Sequence, residues 1–477
     1  MNLRSAFCVF LLALVPLAGC KVGDSGAVGA SSDPGRDGVA DASASPRQSG
    51  KAGKNGQPDS GPSTRPQKIT APPPPPVTYA LCSEQLPKAG QWKGDPVLFD
   101  VNGDGHLDLA ANPRLGNGPH IWAGNGQGHW TNIMAGWPQH ENSCGGGLVF
   151  IDVNKDKKLD MTLADHCRGV FVFAGDGTGE KWDAIVKNLY PKDIVNRDME
   201  NQTFLGAEDM DAGDVNGDGF ADMVVSASDE SGINLYLGDG SGTNWKRQPC
   251  NLPTKAWANR VMLYDINKDD IPDVVATHAD GPRVFLNNGR GDWSDGWTGL
   301  PSPVIRGLYT GIAVADFNED GKPDITTANW VDGPEVYLQQ TDGSWKKAVD
   351  VFAEMLGGAI GIATGDLDRD GHQDIVVSGQ MKNEPGFVRG VFALRGNGKG
   401  EFTHMKNCGL PETGLMTTMG VALGDVNGDG RPDIVAGSGM SVERVPTGPS
   451  GPSIDQRLIV WCSQVPAKEA SLTATRP

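Results

Sequence analysis

From Val77 onward, short apolar runs alternate with polar, glycine-rich stretches, and the alternation itself repeats. Val97-Leu-Phe99 and Gly311-Ile-Ala-Val314 precede an acidic stretch, whereas Met223-Val-Val225 and Val274-Val275 follow one directly. A third run comes next, as in Ile233 to Leu237, Val284 to Leu286 or Val336 to Leu338. After it stand a glycine-rich turn and an aromatic residue that opens a fourth run: Trp130, Trp182, Trp245, Trp293, Trp345 or Phe402. Runs of this length bounded by Gly, Asn and Asp read as strands. Four strands in every ~50 residues make one propeller blade. Seven such units predict an all-β fold, a seven-bladed β-propeller of four-stranded blades that closes without long open edges.

The acidic stretch is one loop repeated. In Asp425-Val-Asn427-Gly-Asp429-Gly430-Arg431-Pro-Asp433, oxygen side chains stand at positions 1, 3, 5 and 9, with a glycine able to take positive φ at position 6. Copies begin at Asp100, Asp152, Asp214, Asp265, Asp316, Asp366 and Asp425, with steps of 52, 62, 51, 51, 50 and 59 residues. Calcium is a hard cation that accepts several oxygen ligands in tolerant geometry, and three carboxylates, an amide and a loop carbonyl nearly complete its shell. An EF-hand opens the same way, but position 12 here is Ala436 in a strand-like run instead of a Glu.

The spacing therefore predicts up to seven Ca2+, one in each blade. The ligands would be Asp100, Asn102, Asp104 and Asp108; Asp152, Asn154, Asp156 and Asp160; Asp214, Asn216, Asp218 and Asp222; Asp265, Asn267, Asp269 and Asp273. The last three sets are Asp316, Asn318, Asp320 and Asp324; Asp366, Asp368, Asp370 and Asp374; Asp425, Asn427, Asp429 and Asp433. Lys157 and Asp270 replace the position-6 glycine, and Lys bears positive φ less well than Asp, so the Asp152 loop is the weakest candidate.

The last unit has three strands and nothing resembling a fourth after Pro466. Tyr79-Ala-Leu-Cys82-Ser-Glu-Gln-Leu86-Pro87 resembles the strand ends Gln248-Pro-Cys250-Asn-Leu252-Pro253 and Asn407-Cys408-Gly-Leu410-Pro411. The N-terminal segment is thus expected to complete the final blade. Cys144 and Cys167 fall at one end of blade 2 and form the candidate disulfide. Cys82 and Cys462 lie on the two closing strands, but the register taken from other blades leaves them a few residues apart, beyond bonding distance. Cys250 and Cys408 are expected to be free core thiols.

These units resemble FG-GAP or VCBS repeats, as in the seven-bladed head of integrin α subunits and in some fungal and bacterial propellers. The resemblance covers residues 77–477 and implies the propeller and its calcium loops. It leaves function open among adhesins, lectins and occasional polysaccharide lyases.

Ahead of the repeats, Arg4 precedes the apolar run Ala6 to Leu17 and the lipobox-like Leu17-Ala18-Gly19-Cys20. Residues 1–19 read as a lipoprotein signal peptide with lipidation at Cys20, the run being too short to span a membrane. Lys21 follows where an inner-membrane retention signal would have Asp, which points to a bacterial outer membrane or cell surface. Residues 20–76, rich in Gly, Ser and Pro, form a disordered tether with a stiff end at Pro72 to Pro76.

Of the 59 acids, 22 occupy loop ligand positions, so much of the −18 net charge belongs to the loops, and seven divalent ions would offset most of it. No basic stripe suits nucleic acid. The expected role is a monomeric binding or adhesion module for a glycan or an envelope protein, touching membrane only through its lipid. Its ligand face is expected opposite the calcium loops, with Trp257, His278, Trp330 and His166 as candidates, aromatic rings stacking on sugar faces beside polar groups. Alternatives are a lyase using Asp165-His166 or His278 with Asp280, and a structural envelope-assembly protein. Arg290-Gly291-Asp292 sits in a repeat turn whose own chemistry accounts for it.

Overall fold

The computed structural model describes residues 77–464 except 93, 115, 135–142, 190–205, 228–231, 305–306, 349–357, 384–385, 412–414, 416–417 and 439–456. The signal, Cys20 and tether assignments lie outside the described residues. Among the described residues every regular element is a strand, and the strands form seven antiparallel four-stranded sheets arranged as a ring. Blade 1 consists of Val97–Phe99, Asp108–Ala111, His120–Gly124 and Trp130–Asn132. Blades 2 to 6 follow in residues 148–189, 207–248, 258–295, 309–347 and 359–404. The first strand of each blade neighbours the first strands of the adjacent blades, so these seven strands line the axis.

Blade 7 takes three strands from the C-terminal end, Thr418–Gly424, Asp433–Ser438 and Leu458–Gln464, and its outer strand, Thr78–Leu81, from the other end of the propeller. The register pairs Thr78 with Gln464 and Leu81 with Trp461. Cys82 and Cys462 are disulfide-bonded with Cα atoms 5.8 Å apart, which corrects the expectation that they stand too far apart. In the other blades a short turn fixes the register of the fourth strand. Here no turn joins the strands, and Cys462 sits opposite Ala80, making Cys82 its diagonal neighbour on the same face. Cys144 and Cys167 are also bonded, while Cys250 and Cys408 are free.

The core is divided among the junctions between blades. Leu109, Trp122 and Trp130 of blade 1 pack with Val435, Val460 and Val426 of blade 7, and Leu367 and Val376 of blade 6 pack with Ile434 and Trp461 of blade 7. Position 2 of each loop, between two oxygen-bearing polar residues, supplies a buried side chain to such a junction: Val101, Val153, Val215, Ile266, Phe317, Leu367 and Val426. No blade buries its own faces, so each relies on both neighbours, and closure is needed for all. The fourth-strand tryptophans are structural, as their positions imply. Trp182 and Trp245 donate their indole N–H to Gly179 and Gly242 of their own turns, and Trp345 donates to Gly296 of the preceding blade.

Candidate metal loops and the two faces

Each loop is shaped by its own acids. In the first, Asp100 Oδ1 accepts the N–H groups of Gly103 and Asp104 at 2.8 and 3.0 Å, and Oδ2 accepts that of Gly105 at 2.9 Å. Asn102 Oδ1 accepts from Asp104, and Asp104 Oδ1 from His106, both at 2.9 Å. These bonds wrap the backbone around the side-chain oxygens of positions 1, 3 and 5. The wrap requires positive φ at two positions, not one: 4 and 6. Gly103 and Gly105 supply them at 75° and 86°, whereas loop 2 places Lys155 at 63° and Lys157 at 67°. Lys157 and Asp270 still donate their N–H to the position-1 carboxylate at 2.8 and 2.9 Å, so neither replacement breaks the loop.

Position 9 has a role the spacing did not reveal. Asp108, Asp160, Asp222, Asp273, Asp324, Asp374 and Asp433 are all fully buried. In blade 5, Asp324 Oδ2 accepts the N–H of Phe317 at 3.0 Å and Oδ1 that of Gln339 at 2.8 Å, tying the loop entry to the third strand. Its siblings repeat both bonds. Burial pushes these carboxyls up, those of Asp222, Asp273 and Asp433 to about 6 and those of Asp324 and Asp374 to about 7, against the pull of the main-chain donors.

The donor set fits calcium: positions 1, 3 and 5 offer only oxygen, in a turn whose backbone already faces them, and position 9 would share an oxygen that accepts a main-chain N–H. In loop 6 the carboxylates of Asp366, Asp368 and Asp370 come within 4.8 Å of one another.

Position 4 also links the loops around the face. Lys155 lies over the Phe220 ring at 4.9 Å, Lys268 donates to the Gly321 carbonyl, and Glu319 pairs with His372. Arg369 lies so close to Gly430 that a Cβ there would come within 3.0 Å of its Nη1. Loops 2 and 3, and loops 4 to 7, are thus joined by side chains standing on a positive-φ residue. The long residues at position 4 were visible in the sequence, but their direction was not.

On the opposite face the candidate residues are largely engaged within the fold. His278 is buried, its Nε2–H donating to the Lys255 carbonyl at 3.0 Å and its Nδ1 accepting from Asp280 N at 3.2 Å. Both ring nitrogens are thus engaged within the fold. His166 Nδ1 stands 2.6 Å from Glu208 of the next blade. Asp165, fully buried, accepts from Cys167 N at 2.9 Å and Cys144 N at 3.3 Å, organising the disulfide loop. Trp257 and Trp330 are half-buried; Trp257 accepts from Ala279 N through its carbonyl and Trp330 donates its main-chain N–H to Leu308. Of the four candidates His278 is buried, while His166, Trp257 and Trp330 are partly exposed.

A register shift interrupts the pairing of the first strand of blades 3 to 7 near its start. Arg260 of blade 4 crosses the ring to Asp95 of blade 1, Nη2 to Oδ1 at 2.8 Å. Asp209 accepts from Val261 N at 3.2 Å, and loss of solvent pushes its carboxyl to about 7 despite Arg260 nearby.

The side bearing the acidic loops carries an open groove of about 460 Å³ between blades 5 and 6, lined by Asn318, Gln339, Gln340, Thr341, Lys346, Lys399 and Glu401 among others. Sequence reading placed ligand chemistry on the other face and missed this groove. Its lining comes from three connections that lie apart in the chain.

An FG-GAP-like repeat model matches residues 100–163, 214–276, 265–327 and 320–377, and an FG-GAP repeat model matches 418–451. Cartilage acidic protein 1 of Mus musculus is 31% identical over 132 residues, which is 27% of this chain and 19% of that protein. The chain therefore spans about a fifth of the length of that relative. Among solved structures, BBS1N in complex with ARL6DN superposes with a TM-score of 0.50 at 10% identity, covering 81% of this chain and 96% of that one. An Agrocybe aegerita lectin that recognises non-reducing terminal N-acetylglucosamine gives 0.44 at 18% identity, over 68% and 84%. With its repeats matched over more than half its length and seven blades closed in a ring, the chain belongs to the FG-GAP repeat β-propellers.

Proposed function

We propose that this protein is a calcium-stabilised, lipid-anchored binding or adhesion module of the bacterial cell envelope, taking a carbohydrate or a protein as ligand. One observation carries the reading: the groove between blades 5 and 6 is walled by amides, a hydroxyl and four lysines, which outnumber its two acids, Asp320 and Glu401. Such a lining offers many donors, which suits a hydroxyl-rich saccharide bearing carboxylate or sulfate groups. The lysines stand out on a chain of net charge −18. The lipobox-like Leu17-Ala18-Gly19-Cys20 and the Gly/Ser/Pro-rich composition of residues 20–76 support a lipid anchor joined to the propeller through a tether. A lyase role loses support because His278, His166 and Asp165 are committed to the fold.

A glycan array probed with the purified protein, in millimolar calcium and again in chelator, tests this. Calcium-dependent capture of acidic glycans that fails for the Lys346→Ala/Lys399→Ala variant is the expected result. A blank array with folded protein would remove the carbohydrate reading. Capture unchanged in that variant would move the site to Trp257 and Trp330.

A further inference from the structure

Six loops carry an amide at position 3, namely Asn102, Asn154, Asn216, Asn267, Asn318 and Asn427, whereas the loop of blade 6 carries Asp368. The third strand changes with it. The residue just before the main-chain N–H that meets position 9 is Ala123, Ala174, Leu237, Leu286, Leu338 or Cys462 in the other blades, and Arg395 in blade 6. These two departures, of opposite charge, meet. Arg395 Nε lies 2.6 Å from Asp368 Oδ2, and Nη2 lies 2.8 Å from Asp370 Oδ2.

We propose that Arg395 is the resident cation of the sixth loop, clamping positions 3 and 5 so that this blade closes without calcium while its six siblings depend on the ion. The inference rests on the calcium reading of those siblings. Asp368 is only 2% exposed and stands in a group of three converging carboxylates, a charge density that needs a counter-ion in place. A guanidinium supplies it as a positive charge within 2.6 and 2.8 Å of two carboxylate oxygens, and it stays protonated under all ordinary conditions. Unlike calcium it is covalently part of the chain, so dilution or chelation cannot remove it.

The geometry also says what its removal would leave. Asp368 Oδ1 is buried without a hydrogen-bond partner, so truncating Arg395 exposes three carboxylates with spare oxygen capacity, a cradle more acidic than any sibling.

Native mass spectrometry of the protein in calcium counts bound ions directly. We expect six in the wild type and seven in Arg395→Leu, whose melting temperature should fall in chelator and recover when calcium is returned. The Asp368→Asn/Arg395→Leu variant recreates a sibling loop; it too should take seven, and it keeps the test open if the single variant does not fold. An equal, non-zero count in wild type and variants would overturn this inference alone. A count of zero throughout would overturn the calcium reading and this inference with it.

Discussion

On one face of the propeller, seven copies of one loop keep acids at positions 1, 5 and 9 and the same main-chain bonds from positions 5, 6 and 7, and vary at the positions between. On the other, each blade acts differently: Arg260 of blade 4 reaches Asp95 of blade 1, and His166 of blade 2 holds Glu208 of blade 3. The loop face repeats because a single local problem, holding several carboxylates in one turn, is solved seven times. The opposite face answers to a global one, the filling of an axis where non-equivalent blades converge.

The largest expected effect falls on the repeated face. Chelation should lower the melting temperature by more than about 10 °C, since ions bound only by the folded ring stabilise it at every site. A melting point indifferent to chelator would erase the distinction between the faces. The difference between loop positions gives a sharper cut. Asp324→Ala should still cost about 3 kcal/mol when calcium is absent, because two main-chain N–H groups lose their buried acceptor. Asp316→Ala should cost most when calcium is present, as seen in paired denaturation curves.

Next in size, Cys82→Ser should remove about 2–4 kcal/mol, the usual range for a bridge closing a long loop. The same curves would show it.

On the irregular face, Asp209 offers a smaller, pH-dependent test. Its folded carboxyl titrates near 7, above the unfolded value near 3.8. The stability from protonating it is therefore full below the unfolded value and is lost as pH rises through about 7. Wild type should accordingly lose more melting temperature between pH 5 and 8 than Asp209→Asn at fixed calcium, and parallel profiles would refute the assignment. Smallest of all, His278→Gln should leave glycan capture unchanged, because the ring is spent on Lys255 and Asp280.

These contrasts mark what could be read from sequence. The blades, the loops and the closing strand follow from period and spacing, which local residues set. The disulfide between Cys82 and Cys462 escaped because its register depends on two distant chain segments meeting without a turn between them. Position 9 was legible as an acid but not as a buried staple, for its partners lie on the third strand. The commitment of His278 escaped because a histidine beside a turn looks the same whether its nitrogens face solvent or carbonyls.

The Thr78–Leu81 strand is where any pull on the preceding segment enters the propeller. It is the outermost strand of its sheet, and a load at Val77 would strip its four register pairs one after another, as a zipper opens. Cys82 lies just beyond the last pair and is bolted to Cys462. Peeling therefore stops there, and the load passes through Cys462 to Leu458–Gln464, which is still paired with Asp433–Ser438. Placed at this spot, the bridge works as a mechanical stop, letting the ring withstand a pull that arrives through Val77.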